Sequence, residues 1–239
     1  MTWPWEIVER DHELQNPTTP DKIRLLGDYL RLTSESRVLD IACGKAGPAL
    51  ILAATFGCRI LGIEKLAAFA DEGRARVAAA GLDDLIAIET ADAAEIPLED
   101  ETWDAALCLG ASFVWGTMTE AAPVLAAAVR PGGFVAIGEP FWRQPPPADS
   151  EFAEYAALPE TVERFERAGL ALTGLIASSD DDWDRYESLH WRAVEEWLAL
   201  HQDDPIAPEF RRRHESYRRD YIHSQRALLG WAIFVGQKP

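Results

Sequence analysis

The sequence predicts an α/β protein with a mostly parallel sheet of seven strands and helices on both faces. Two observations carry this prediction. Short apolar segments with strand character alternate with helical segments along most of the chain, which is typical of parallel strands joined by right-handed crossovers. The first apolar strand also runs into a glycine-bearing turn and then an apolar helix, between Val38 and Phe56. That arrangement is typical of a nucleotide-binding corner.

The composition allows one such domain and argues against polyanionic partners. The chain has 239 residues, of which 48% are hydrophobic, so a full core can be built. Lys and Arg number 23 against 40 Asp and Glu, a formal net charge of −17. Nucleic acids and anionic membrane surfaces reward Lys and Arg contacts, so we expect neither as a partner.

Targeting and redox signals are equally sparse. The first residues lack the basic region and apolar run of a signal peptide, and no apolar run is long enough to span a bilayer. Cys43, Cys58 and Cys108 have no paired or metal-ligand spacing and sit in apolar segments, which predicts small buried side chains. We therefore expect a cytoplasmic location.

The elements follow in a regular order up to residue 177. Residues 1–20 are predicted to form an N-terminal arm with a short helix over 7–14, and amphipathic spacing predicts a helix over 22–32. Apolar runs predict strands at 36–41, 59–63, 85–89, 103–109, 134–138 and 170–177. Helices are predicted between them at 48–56, 66–80, 118–129 and 159–168, and Pro145-Pro146-Pro147 predicts a stiff connection.

A long segment separates the sixth strand from the last one, which is predicted at 230–236. Residues 178–229 carry two helical patterns, at 182–201 and 209–228. An insertion at the ligand-binding edge of a sheet commonly forms a lid or a specificity cap. We therefore predict a single domain over 1–239, with the arm at 1–20 and a helical cap at 178–229.

The glycine corner favours a cationic ligand over a dinucleotide. The dinucleotide fingerprint G-x-G-x-x-G corresponds here to Ala42-x-Gly44-x-x-Gly47, so its first glycine is missing. Asp40 lies at the mouth of the loop, where a carboxylate would repel a pyrophosphate. S-adenosylmethionine has no phosphate and carries an ammonium and a sulfonium, so it suits an acidic corner.

Residues 38–47 resemble the first motif of the class I S-adenosylmethionine-dependent methyltransferases, and other landmarks follow in that family's order. Glu64 ends the second strand, where the family has an acidic residue bridging the ribose hydroxyls, although NAD enzymes use the same device. Asp92 follows the third strand, where members often hold the adenine amino group. Leu109-Gly110 would face the methionine moiety, and Pro131-Gly132-Gly133 matches a landmark that is read as a turn.

The resemblance implies the fold of this family and S-adenosylmethionine as the cofactor. A narrower resemblance, to bacterial methyltransferases whose substrate is unassigned, covers nearly the whole chain through segments at 12–17, 138–144 and 183–187. The implied cofactor-binding residues follow the strands of the first half: Asp40, Ala42, Gly44, Gly47, Glu64, Lys65, Asp92, Ala93, Leu109 and Gly110.

Candidate substrate residues follow the fourth and fifth strands. Methyl transfer from a sulfonium is an in-line displacement, so alignment supplies much of the rate, and an acceptor that carries a proton can need a base. Glu139 is the candidate for orienting the acceptor or acting as the base, with pairing to Arg143 as the alternative. Ser112, Trp115 and Trp142 are expected in the same pocket, with core packing as the alternative for Trp142.

The cap and the arm supply the remaining candidates. Trp183, Tyr186 and His190 share one face of the first inserted helix, which predicts a pocket wall or, alternatively, packing on the domain. His190 and His12 are the further catalytic candidates, with a structural role as the alternative for each. The five histidines lack metal-ligand spacing, so no metal site is predicted.

The sequence thus predicts methyl transfer from S-adenosylmethionine to a small-molecule acceptor. Two alternatives stay open. The first is an NAD-dependent oxidoreductase, which the missing first glycine at Ala42 disfavours. The second is a non-catalytic sensor that binds the cofactor or has lost it, and the intact Asp40 and Glu64 argue against loss of the cofactor. A rise in thermal stability with S-adenosylmethionine but not with NAD(H) distinguishes the methyltransferase from the oxidoreductase. Turnover to S-adenosylhomocysteine distinguishes it from the sensor.

Overall fold

The computed structural model describes residues 4–98, 100–146 and 155–239 and builds them around one sheet. Its strands are β1 Arg37–Ile41, β2 Arg59–Glu64, β3 Ile86–Thr90, β4 Trp103–Leu109, β5 Val129–Trp142, β6 Ala171–Ala177 and β7 Leu229–Gln237. Within the described ranges the spatial order is β3-β2-β1-β4-β5-β7-β6, and only β7 runs antiparallel to its neighbours. The predicted mostly parallel sheet of seven strands is confirmed.

Helices cover both faces of this sheet. They are α1 Trp5–Val8, α2 Pro20–Tyr29, α3 Gly47–Phe56, α4 Ala67–Ala80, α5 Met118–Ala128, α6 Leu158–Glu166, α7 Asp180–Leu200 and α8 Ala207–Asp220. Ile23 of α2 and Leu52 of α3 are fully buried in the core on one face, whereas Leu125 of α5 and Phe165 of α6 are buried on the other. Among the described helices, none is long and apolar enough to cross a membrane.

The helix predicted in the arm was wrong in its bounds. The helix predicted at 7–14 is α1, and the chain beyond Val8 continues in turns. The helix predicted at 209–228 is α8, followed without a break by a π-helical turn, Tyr221–Gln225, and a last α-helical turn, Arg226–Leu228, so helical structure reaches the predicted end. The third proline of the run at 145–147 lies outside the described residues.

The largest difference concerns β5, which was predicted at 134–138 and spans Val129–Trp142. Strand β7 pairs with it from Phe134 to Trp142, and this partner extends the strand beyond its apolar run. Two corrections follow. Glu139 lies inside the strand, opposite Ala232, rather than after it, and Pro131-Gly132-Gly133 belongs to the strand rather than to a turn.

The predicted helical cap is the pair α7 and α8, which lies between β6 and β7 in the chain. A capping box begins α7: Asp182 N donates to Ser179 Oγ at 3.1 Å, and Ser179 N donates to the Asp182 carboxylate at 2.8 Å. Lys22 of α2 pairs with the same carboxylate. Val8 of α1 packs in a small core with Phe210 and other apolar residues of the cap, so the arm and the cap hold each other.

Candidate active site

A cleft of about 370 Å³ opens where the strands β1 to β4 end. Parallel strands bring their carboxyl ends to one edge of the sheet, and loops that are distant in sequence therefore meet there. All ten residues that the sequence predicts for cofactor binding line this cleft, namely Asp40, Ala42, Gly44, Gly47, Glu64, Lys65, Asp92, Ala93, Leu109 and Gly110.

The glycine loop keeps its shape although the first glycine of the fingerprint is replaced. Ala42 has φ 52°, a left-handed conformation that costs a residue with a Cβ about 1–2 kcal/mol. Gly44 has φ +55°, and a Cβ on it would lie 2.0 Å from Gln15 Oε1 of the arm. The loop therefore lines the cleft together with Gln15 of the arm, which packs closely against Gly44.

Glu64 is held rigidly at the end of β2. Gly44 N donates to its Oε2 at 2.9 Å, and Leu66 N donates to its Oε1 at 2.8 Å. The side chain is buried, with 6% exposure. A carboxylate has about four lone-pair positions, so both oxygens keep acceptor capacity towards the cleft.

Asp40 is the second acidic group in the cleft, and it is almost fully buried. Its Oδ2 has no hydrogen-bond partner among the described residues. Burial, and then the neighbouring charge of Glu64, raise the pKa of Asp40 to about 7. A buried carboxylate with an open oxygen is a site prepared for a donor or a cation.

Asp92 and Lys65 form the exposed rim of the cleft. Lys65 Nζ donates to Asp92 Oδ2 at 2.6 Å, and Ala94 N donates to Asp92 Oδ1 at 3.0 Å. The hydrogen bond from Lys65 holds the pKa of Asp92 below its usual value. The Asp92 carboxylate is therefore ionised and fixed in direction at neutral pH.

Sequence reasoning missed the part of the arm that crosses the cleft. Asn16 Nδ2 donates to Leu109 O at 2.9 Å, and Lys45 N donates to Gln15 Oε1 at 2.8 Å. Both Gln15 and Asn16 line the cleft, as does Glu9. The resemblance covers the segment at 12–17, but its only predicted site residue is His12.

A second cavity, of about 180 Å³, adjoins the cleft. The two share Asn16, Gly110, Phe113 and Tyr186 as lining residues. Of the predicted substrate residues, Ser112, Glu139, Trp183 and Tyr186 line this second cavity. Glu139 is buried, and Ser112 Oγ donates to its Oε2 at 2.7 Å.

Two predicted pocket residues lie elsewhere. Trp115 is packed against the core beneath α5, and Trp142 is buried at the end of β5. Neither is among the residues lining the cleft or the second cavity. Successive side chains of a strand point to opposite faces, so Trp142, three positions after Glu139, points to the face opposite that of Glu139.

The predicted catalytic histidines lie together in a buried cluster with Glu9 behind the cleft. His190 Nε2 is 2.8 Å from Glu9 Oε1, and His12 Nδ1 is 3.3 Å from Glu9 Oε2. His12 Nε2 donates to Tyr186 O at 2.9 Å, and Tyr186 Oη donates to Glu9 Oε1 at 3.0 Å. Neither histidine is among the residues lining the two cavities, so any part they take in catalysis would act through Glu9 and Tyr186.

The same three residues form a donor set that the sequence did not predict. One ligand atom each from Glu9, His12 and His190 lies within 4.8 Å of the others, and two imidazoles with a carboxylate are common transition-metal ligands. The short Glu9–His190 contact is also a complete ion pair without a metal. The expected lack of a metal site stays a prediction.

Comparison with known proteins agrees with this architecture. A family model described as a methyltransferase domain matches residues 38–133. The YjhP protein of Escherichia coli K12 is 30% identical over 96% of this chain and 95% of its own length, and the 27-O-demethylrifamycin SV methyltransferase of Amycolatopsis mediterranei is 28% identical over 95% of this chain and 85% of its own.

A crystal structure with a bound cofactor product adds a functional comparison. The S-adenosylmethionine-dependent methyltransferase of Thiobacillus denitrificans, in complex with S-adenosylhomocysteine, superposes with a TM-score of 0.91 at 30% identity, covering 100% of this chain and 99% of the other. The chain belongs to the class I S-adenosylmethionine-dependent methyltransferases. It is therefore a methyltransferase that uses S-adenosylmethionine, and the comparisons support neither the oxidoreductase nor the sensor alternative.

The Glu9–His190 pair makes stability depend on pH. Burial alone lowers the pKa of His190, but Glu187 and Glu9 outweigh it and raise the pKa to about 9. Because the folded pKa exceeds the ordinary value of about 6.5, the stabilisation is complete below pH 6.5 and is lost as the pH rises through 9. Urea titrations should therefore show the free energy of unfolding falling between these values, by about 1.4 kcal/mol for each pKa unit of difference.

The variants for this test come from one helix. His190→Gln should remove most of the slope and leave the smaller part near pH 7 that Asp40 contributes, whereas His201→Gln, just after the end of α7, should retain the full slope. EDTA in every sample excludes bound metal as the cause. A wild-type free energy of unfolding that is constant from pH 6.5 to 9 contradicts the prediction.

Proposed function

We propose that the cleft holds S-adenosylmethionine and that the adjoining cavity holds a small organic acceptor. The observation that carries this proposal is the shared wall: Asn16, Gly110, Phe113 and Tyr186 line both spaces. A ligand in one space therefore lies against a ligand in the other. In-line transfer needs this proximity between the acceptor atom and the methyl group.

The residues of the cleft fit the cofactor's chemistry. The open oxygen of Asp40 suits the ammonium of the methionine end, and the anchored carboxylate of Glu64 suits a pair of ribose hydroxyls. Asp92, at the rim, suits the adenine amino group. When bound, S-adenosylmethionine supplies a methyl group on a positively charged sulfur, which is the electrophile of the reaction.

The size and position of the second cavity support a small acceptor. Its volume is about 180 Å³, and it lies between the sheet, the arm and the cap, with walls from residues such as Pro17, Glu139 and Trp183. A net charge of −17 disfavours polyanionic acceptors. The Amycolatopsis relative is named for a small-molecule acceptor.

Glu139 is the residue placed to act on the acceptor. Its carboxylate lies in the wall of the second cavity, and the hydrogen bond from Ser112 fixes its direction. From there it orients the acceptor and takes a proton from it. Orientation and general-base catalysis together account for rate factors of about 10²–10⁴ or more.

Glu64→Gln tests the cofactor site. The variant loses the charge that strengthens hydrogen bonds to hydroxyls, so affinity for S-adenosylhomocysteine should fall by about tenfold or more in calorimetric titrations. Glu89→Gln makes the same charge change at an exposed position on β3 and should bind as the wild type does. Equal affinity in all three proteins contradicts the assignment of Glu64.

The pH dependence of cofactor affinity tests Asp40 separately. With a pKa of about 7 in the free protein, Asp40 is largely protonated at pH 6, and a cationic ligand favours its ionised form. Affinity for S-adenosylmethionine should therefore rise from pH 6 to pH 8. Asp40→Asn should bind more weakly and show a flat profile over this range, and a variant that keeps the wild-type slope rules out this role.

Turnover tests the proposed function as a whole. Purified protein, S-adenosylmethionine and a small-molecule metabolite extract should yield S-adenosylhomocysteine above the protein-free rate. Glu139→Gln should lower this rate by about 100-fold without weakening cofactor binding. Glu166→Gln, on the exposed end of α6, is the matched control. Cofactor binding with no turnover would favour the sensor instead.

A further inference from the structure

The lining of the second cavity combines aromatic rings with one charged side chain. Within the described ranges, its lining includes Glu139 as the only acidic residue and no Lys, Arg or His. Five aromatic side chains besides Phe113 complete the wall: Tyr155, Trp183, Tyr186, Tyr217 and Trp231. A space of this kind attracts cations and disfavours anions, because the faces of aromatic rings and ionised carboxylates both carry negative electrostatic potential.

Four of the rings come from the cap and from β7: Trp183 and Tyr186 lie on α7, Tyr217 on α8 and Trp231 on β7. Trp183 and Tyr186 meet at 76° with their centroids 6.3 Å apart, so they form a corner. Tyr186 is fixed by its hydrogen bond to Glu9. Trp231 of β7 can lie against β5 because position 138 is glycine: a Cβ there would be 2.4 Å from the indole.

Glu139 completes this corner from the sheet. It is in β5, paired with Ala232 of β7, and is buried to 6% exposure. The Ser112 hydroxyl holds its Oε2 from the side of the turn after β4. A cationic group that enters the cavity meets this carboxylate in a wall whose described lining contains no Lys, Arg or His.

Other acceptor classes fit less well. A carboxylate or phosphate would be repelled by Glu139 and would find no basic side chain on the described wall. A neutral hydroxyl would gain little from the ring faces. We propose that the acceptor is a small amine, which enters as its ammonium ion and is held between Glu139 and the rings of Trp183 and Tyr186. This inference rests on the proposed function of the second cavity.

The transfer balances with the groups at hand. The Glu139 carboxylate accepts one proton from the ammonium and so frees the nitrogen lone pair. That pair forms the new N–C bond while the C–S bond breaks, and the bonding pair of the broken bond stays on sulfur. The positive charge passes from sulfur to nitrogen. Glu139 then releases the proton that it accepted to solvent, and its carboxylate faces the methylated ammonium product.

Choline tests the proposal against its neutral isostere. Choline resembles a methylated ammonium product and cannot be methylated further on nitrogen, and 3,3-dimethylbutan-1-ol has the same shape without the charge. Protein saturated with S-adenosylhomocysteine should bind choline at least about tenfold more tightly than the alcohol in calorimetric titrations. If choline binds no more tightly than the alcohol, or does not bind, the proposal is overturned.

Variants locate the binding. Glu139→Gln and Trp183→Leu should each weaken choline binding by about tenfold and leave S-adenosylhomocysteine affinity unchanged. Trp197→Leu, a change at the other end of α7, should leave both affinities as in the wild type. Unchanged choline binding in both cavity variants overturns the proposal. Loss of S-adenosylhomocysteine binding in the wild type would instead contradict the proposed cofactor site.

Discussion

The rest of the site depends on the ion pair and hydrogen bond that the buried carboxylate of Glu9 forms with the cap. This carboxylate pairs with His190 and accepts a hydrogen bond from Tyr186, both on α7. The backbone carbonyl of Glu9 accepts a hydrogen bond from Lys45 Nζ of the glycine loop at 2.9 Å. Arm, cap and loop are thus joined at one residue. Breaking a buried pair of this kind typically costs about 3–5 kcal/mol, because the remaining charge has no partner and no water.

This junction explains why the two cavities lie side by side. The arm continues from Glu9 to Gln15 and Asn16, which pack against the glycine loop and the end of β4. The cap supplies Tyr186 to both spaces. Two of the four residues that line both cavities, Asn16 and Tyr186, therefore hold positions that depend on the Glu9 network, while the sheet supplies the carboxylates Asp40, Glu64 and Glu139.

Much of the fold could be predicted because its strands are short, apolar and separated by helical periodicity. The strand at 103–109 has the predicted bounds. The prediction for β5 was too short, since its extension to Trp142 depends on pairing with β7, almost a hundred residues later in the chain. The helix at 209–228 was predicted as one regular α-helix, since periodicity does not report a π-helical turn such as Tyr221–Gln225.

The sequence by itself determined the corner between Val38 and Gly47 and the acidic residues that end β2 and follow β3, because strand ends in a parallel sheet meet at one edge. The tertiary structure decided which residues from outside that pattern join them. Asn16 and Leu109 are 93 positions apart, and Glu9 and His190 are 181 apart. Contacts over such separations follow from how the arm and the cap pack on the sheet, and no local spacing in the chain records that packing.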